Sequence, residues 1–251
     1  MTENYQKPHE PLAAYYESDE VKPDYLKQLF DTSSQDYDRV LKYAFFGTGA
    51  AYRRRTIQSA GLHPGMRVLD VACGTGGVLQ EVLKTVPAEQ LTGVDPSEGM
   101  LAAARSKLPG VTFYEGTAEA LPLEDKSIDL VTMGYALRHM RSFDEAFREF
   151  FRVLKPGGQV LILELSRPRS RVGYALTKFY LKYYVPLVAL LLCRNRSAPR
   201  MMRYFWDSID ACVEREVILE RMADAGFHAC RNDCELGIFS AFSGTRPEII
   251  A

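Results

Sequence analysis

The sequence predicts an α/β fold with a mostly parallel sheet and helices on both faces. Three observations carry this. Short β-branched runs alternate with amphipathic runs beyond Gly65, a bare glycine loop joins the first strand to the helix after it, and the chain closes on two strand-like runs. In order, MRVLDVA is followed by helical VLQEVLKTV, LTGVD by helical GMLAAARSKL, then come VTFYEG, IDLVTMG with helical FDEAFREFFRVL, and QVLILEL. Strands joined through helices pair in parallel by right-handed crossovers, which puts helices on both faces. After Arg167 comes a long insertion, then a helix from Glu216 to Ala225 ended by Gly226. The last two runs, about His228 to Leu236 and Ile238 to Ser243, flank a tight Leu236-Gly237 junction and predict a hairpin. That makes a seven-stranded sheet with one antiparallel strand near the C-terminus.

Upstream of the sheet, the first twenty or so residues are polar and aromatic, interrupted by Pro8, Pro11 and Pro23, and predict an irregular arm or lid. From Tyr25 to Leu62 the apolar spacing is helical, with breaks at Asp31 to Ser34 and Gly47 to Gly49, so two or three short helices are expected. The organisation reads as an N-terminal arm and helical lid (1–62) and a main domain (63–251) carrying a cap insertion at about 167–206.

The 251 residues, 47% of them apolar, suffice for one domain with its own core. A formal net charge of -1 leaves no overall basic field, so no nucleic acid is expected as partner. The five cysteines, at 73, 193, 212, 230 and 234, lack CxxC spacing, and MTENYQKPHE has no apolar signal-peptide run, so a reducing cytoplasm is the expected compartment. Cys230 and Cys234 have no second ligand pair at metal spacing, and no metal is assigned.

Strand VLDVA runs into Cys73, Gly74, Thr75, Gly76 and Gly77, placing bare backbone where a ligand can approach. A dinucleotide site would show GxGxxG; here the pattern is DxxCGTGG, with Asp70 inside the strand. Asp70 can hold the ammonium of an amino-acid moiety, which S-adenosylmethionine has and NAD lacks. Asp95 ends the second strand and can accept both hydroxyls of one ribose; the alternative is a charge at the helix N-terminus that Pro96 and Ser97 begin. Gly116, Thr117 and Ala118 would face an adenine ring, with Met100 and Leu101 on its other side. A tight glycine turn with no ligand is the structural alternative to the whole set.

The glycine loop, GVDPSEGML, GTAEALPLEDKSIDLVTM, YALRHM and EFFRVLKPGGQVLILELSRP together resemble the class I methyltransferases, and specifically the UbiE family of ubiquinone and menaquinone C-methyltransferases. FDTSSQDYD with GTGAAYRRR, and MRYFWDSID, MADAGF and GIFSAFSG, extend the resemblance to about residues 29 to 244. It implies a Rossmann-like fold, S-adenosylmethionine as cofactor, and cofactor contacts from Asp70, Gly74, Thr75, Gly76, Asp95, Thr117, Ala118 and Gly134. It also implies a lipophilic small-molecule acceptor, a prenylated quinol or similar aromatic. The chain departs from the family in having Thr117 where Asn or Asp is usual, and Ala136-Leu137-Arg138-His139 where the family reads GLRN.

Methyl transfer from a sulfonium is an in-line displacement, so a protein mainly aligns the partners and, where needed, removes a proton. A phenolate would be stabilised by a nearby cation, and Arg138 is the first catalytic candidate, acting electrostatically or through a water because guanidinium is not deprotonated. His139, a base or a surface histidine, and Tyr135, chemistry or packing, come next. The other readings open at this point are O- or N-methylation of another hydrophobic molecule, and a cofactor binder with non-methylating chemistry.

From Arg167 to Trp206 there is no acidic residue, while Arg167, Arg169, Arg171, Lys178, Lys182, Arg194, Arg196, Arg200 and Arg203 surround VPLVALLLC. Interruption by Pro186 argues against a bilayer span; docking at the inner face of a membrane and a buried cap helix are the two readings. A homodimer stays open as well.

Overall fold

The computed structural model describes residues 5–45, 47–193 and 197–248, so Arg194 and Arg196 lie outside the described residues. Its strands are β1 (Val68–Val71), β2 (Leu91–Asp95), β3 (Thr112–Glu115), β4 (Ile128–Gly134), β5 (Leu154–Leu165), β6 (His228–Glu235) and β7 (Phe239–Thr245). They form one sheet in the order β3-β2-β1-β4-β5-β7-β6. The first five pair in parallel and β7 lies antiparallel between β5 and β6, so the expected topology is found. Every residue of β1 is buried, which requires cover on both faces and explains its continuous apolar run. Polar β6 forms one edge, and its charged side chains discourage pairing with another strand. Leu236 and Gly237 both have positive φ, as a type I′ turn requires.

The helices are α1 (Lys22–Ala44), α2 (Thr48–Gln58), α3 (Leu79–Val82), α4 (Glu98–Lys107), α5 (Phe143–Val153), α6 (Arg171–Phe179), α7 (Val185–Leu192), α8 (Ser197–Ala211) and α9 (Arg215–Asp224). Ser97 and Ser142 cap α4 and α5 by accepting from Met100 N and Glu145 N. On α5, Phe143, Phe147 and Phe150 are fully buried in the core under the sheet.

Three local expectations are corrected. α1 does not break at Asp31 to Ser34: Thr32 and Ser34 hydroxyls bond back to the carbonyls of Gln28 and Asp31 within the helix, and the Asp31 carboxylate is taken up by α4. α3 keeps only a short regular segment, the rest of VLQEVLKTV being turns. Pro186 does not interrupt the insertion. It falls in the first turn of α7, directly after a π-helical turn at Tyr180–Tyr184 that joins α6 to α7 and accommodates the N–H that the proline lacks. Arg171–Leu192 is therefore one helical run of 22 residues, long and apolar enough by length and composition alone to cross a membrane.

The N-terminal segment is irregular, as expected, but well tied down. Phe143 N donates to Gln6 O and Val213 N to Pro8 O. Leu26, Leu29 and Val40 of α1 share one apolar core with Leu181, Val185, Met201 and Trp206, so N-terminal helix and insertion pack as one layer.

Candidate active site

Strand order reverses between β1 and β4, and at that point the carboxyl ends of an α/β sheet leave a crevice. Here it is a cavity of about 1110 Å³, lined among others by Asp70, Gly74, Thr75, Asp95, Met100, Thr117, Ala118, Gly134, Tyr135 and His139. Most of the residues singled out from sequence thus meet at one cavity; Gly76, Leu101 and Arg138 are not among its lining. Ala72 and Tyr135, at the ends of β1 and β4, both have positive φ, an unfavourable geometry for side chains that concentrates at functional sites.

In the glycine loop, Gly74 (φ 54°) has open space where a side chain would stand, and its N–H donates to Asp95 Oδ2 at 2.8 Å. Asp95 Oδ1 accepts from Ser97 N at 2.9 Å, so one carboxylate fastens the loop to the start of α4. Gly76 (φ 82°) serves packing instead: a Cβ there would fall 2.5 Å from Leu108 Cδ1. Gly134 likewise lets β4 approach Val78 Cγ2, at 2.8 Å from where its Cβ would be. Met100 is buried and Leu101 fully so, but only Met100 reaches the cavity wall.

Asp70 is fully buried. Its Oδ1 accepts from Thr132 Oγ1 at 2.8 Å, while Oδ2 has no partner. Burial pushes its carboxyl up to about 7, against the Thr132 bond and the Arg53 charge, which favour ionisation. Burial raises Asp95 to about 6 despite its two backbone donors. A buried carboxylate oxygen lacking a donor fits the ammonium of S-adenosylmethionine, and a two-oxygen acceptor beside bare loop backbone fits its ribose.

These shifts carry a pH prediction. Unfolded Asp titrates near 3.9, so between about pH 4 and 7 the folded, ligand-free protein binds these protons more tightly. The two groups therefore contribute stability that is lost as pH rises through 6 and 7. Ligand binding has the opposite sign, because it needs both groups charged. The melting-temperature increase given by saturating S-adenosylhomocysteine should shrink as pH falls from 8 to 5.5; an increase that stays constant would contradict the assignment.

Beyond β4, a 3-10 turn at Leu137–His139 separates the two catalytic candidates that were adjacent in sequence. The first is corrected: Arg138 is wholly buried, paired with Glu164 (side chains 0% and 3% exposed), and donates to Ser208 Oγ at 3.1 Å and Tyr135 O at 2.8 Å. Its guanidinium lies 4.7 Å from the centre of the Phe205 ring, and it is Phe205 that lines the cavity. Arg138 thus positions the β4 turn and an aromatic wall. His139 does line the cavity. Its ring stacks on Tyr204, its Nδ1 lies 3.2 Å from Tyr204 Oη, and its Nε2 has no hydrogen-bond partner. Burial, then the charge of Arg138, holds its pKa well below the ordinary histidine value, so the ring is neutral near pH 7. The Tyr135 hydroxyl, also without a partner, is pushed upward by burial and keeps its proton.

The lid supplies residues not singled out from sequence. Thr75 Oγ1 donates to Asp38 Oδ1 at 2.7 Å, Lys107 pairs with the same carboxylate, and Asp31 Oδ1 accepts from Gly99 N at 2.9 Å. α1 is thereby latched to the glycine loop and to α4. Of the arginines in YRRR, Arg54 and Arg55 pair with Glu81 and Glu235, whereas Arg53 lines the cavity beside Gly77 with a buried Nε that has no partner. Phe30, Tyr37 and Phe45 add aromatic wall from α1 and its end.

A bare glycine loop, a carboxylate tied to it and a neighbouring aromatic chamber fit one class: an S-adenosylmethionine-dependent methyltransferase with a Rossmann-like fold. The model of the ubiE/COQ5 methyltransferase family matches residues 18–246, and the chain belongs to that family. It is 32% identical over 233 residues to the ubiquinone/menaquinone biosynthesis C-methyltransferase UbiE of Geobacter sulfurreducens, covering 90% of each. To the UbiE of Shewanella woodyi it is 34% identical over 218 residues, covering 84% of this chain and 85% of that one. Among solved structures, a Thermotoga maritima methyltransferase described as a possible histamine N-methyltransferase superposes with a TM-score of 0.62 at 23% identity, covering 87% and 98% of the two chains. Phosphoethanolamine N-methyltransferase 2 of Haemonchus contortus, in complex with S-adenosylmethionine, gives 0.60 at 18%, covering 87% and 57%. These two likenesses establish the fold alone.

Proposed function

We propose that the enzyme methylates a ring carbon of a lipophilic quinol, a prenylated benzoquinol or naphthoquinol. The observation that carries this is the single cavity that runs from Asp70, Gly74 and Asp95 to a wall of Phe30, Tyr37, Phe45 and Phe205. Its aromatic end suits a flat ring with an apolar tail. The names of the curated relatives support the same acceptor class.

When bound, the cofactor supplies an electrophilic methyl group on a sulfonium. Asp95 would accept from the ribose hydroxyls and Asp70 from the ammonium, while Arg53 would donate to the carboxylate; Thr117 and Ala118, with Met100 opposite, would border the base. Gly134 leaves room at the end of β4 for the two reactants to come close. His139, with Nδ1–H donated to Tyr204, offers the Nε2 lone pair to a phenolic proton, and the Tyr135 hydroxyl donates to the oxygen left behind. Loss of that proton would raise electron density at the adjacent ring carbon, which would take the methyl group as the carbon–sulfur bond breaks to leave S-adenosylhomocysteine; the ring carbon would then release its own hydrogen to solvent as a proton while the oxygen takes its proton back from Nε2.

Incubation with labelled cofactor and reduced prenyl quinol, followed by mass spectrometry, should find one labelled methyl on a ring carbon. A labelled oxygen, or no transfer by protein that binds the cofactor, would refute the proposal. In the same assay His139→Ala should lower kcat by about a hundredfold or more, the usual worth of a positioned acid or base. Its affinity for S-adenosylhomocysteine should stay within about twofold, since the loss is confined to the transition state.

A further inference from the structure

We propose that the helical run from Arg171 to Leu192 lies flat on an anionic lipid surface, outward face down. This goes beyond the proposed reaction and stands whatever the acceptor is. Val172, Leu176, Phe179, Tyr183, Leu187 and Leu191 recur at steps of three and four residues and are 52 to 76% exposed. The opposite face, with Leu181, Val185 and Ala189, is buried against α1 and α8. The run therefore has two opposed apolar faces, and the fold covers only one of them. A cap helix facing water would carry polar residues outward; this one asks for an apolar medium there.

Charge chooses the medium. Arg171 and Lys178 stand one position behind stripe residues Val172 and Phe179, which sets them along its flank about 100° around the helix. The chain has no Asp or Glu between Arg167 and Trp206, and among the described residues no carboxylate pairs with Arg171. Basic side chains beside an apolar stripe complement anionic headgroups above acyl chains. A second copy of the chain would meet the same basic flank with its own, since a two-fold interface pairs a patch with itself. Crossing the bilayer is opposed by the inner face: Lys182 pairs with Asp207 at 2.9 Å, and Tyr174 donates to Asp210 at 3.0 Å, both on α8. Spanning would break these and strip the shared core. The packed side of the run reaches the cavity wall. Phe45, which lines the cavity, meets the ring of Tyr180 with centroids 6.0 Å apart, so the run that would rest on lipid is in contact with the aromatic chamber.

The test is flotation of the full-length protein with phosphatidylcholine vesicles, with and without phosphatidylglycerol, at low and high salt. The wild type should float with the anionic vesicles, less so at high salt, and be released by alkaline carbonate. Leu176→Ser/Leu187→Ser/Leu191→Ser should lose at least tenfold in vesicle affinity while keeping its melting temperature and its affinity for S-adenosylhomocysteine. Arg171→Glu/Lys178→Glu should bind anionic and neutral vesicles alike. The proposal is overturned if the wild type stays in solution at both salts, or if the triple variant binds as the wild type does. Retention through carbonate would make the run a span. A wild-type dimer that the triple variant dissolves, without vesicle binding, would assign the stripe to a second copy.

Discussion

Asp95→Ala is expected to raise the dissociation constant for S-adenosylhomocysteine by about a hundredfold or more. Two hydrogen bonds to a charged group, each worth about 1.5–3 kcal/mol, are lost with the ribose hydroxyls, and every 1.4 kcal/mol is tenfold. The loop loses its tie as well, because Gly74 N–H no longer has Oδ2 to donate to. Ligand-free stability should change much less: a carboxyl that burial raises to about 6 already costs folding energy in its charged form, and removing it offsets the lost backbone bonds. Calorimetry with S-adenosylhomocysteine and a thermal melt of the same sample separate the two effects. An affinity within threefold of the wild type would exclude Asp95 as the sugar ligand.

The second large effect falls on folding rather than turnover. Arg138→Ala should lower the melting temperature by on the order of 10 °C, because breaking a buried pair costs about 3–5 kcal/mol and a domain of this size shifts by about 2–4 °C per kcal/mol. The loss arises from Glu164, stranded without its cation at 3% exposure. Arg138→Met combined with Glu164→Gln should recover much of it, since no unpaired charge is then buried. A melting curve unchanged in Arg138→Ala, with only kcat depressed, would restore the arginine to the reaction itself. That outcome is what the sequence reading of Arg138, as a cation stabilising a phenolate, implies.

The difference between those expectations marks where sequence stops informing. Strand positions were legible because LTGVD and IDLVTMG are short, β-branched and bounded, and both match β2 and β4 residue for residue. Asp70, Gly74 and Asp95 were legible because local chain geometry places them at strand ends, where the sheet has its crevice. Arg138 was misjudged because its partner, Glu164, comes from another strand, and only packing brings the two together. Arg53 was missed for a related reason. Successive residues of a helix point about 100° apart, so three adjacent arginines are equivalent in sequence until α2 is docked. The continuity of Arg171–Leu192 was hidden by Pro186, whose placement in a first turn depends on the wide turn preceding it.

The latch of α1 has a consequence for any attempt to shorten or graft this enzyme. Asp38 holds Thr75 and Lys107, and Asp31 holds Gly99, so two acidic groups far upstream in the chain brace the glycine turn and the start of α4. A fragment starting at the first strand would retain every sheet partner yet present a slack, unbraced glycine loop. Transplanting substrate preference between relatives therefore means moving the opening helix together with the core it clasps.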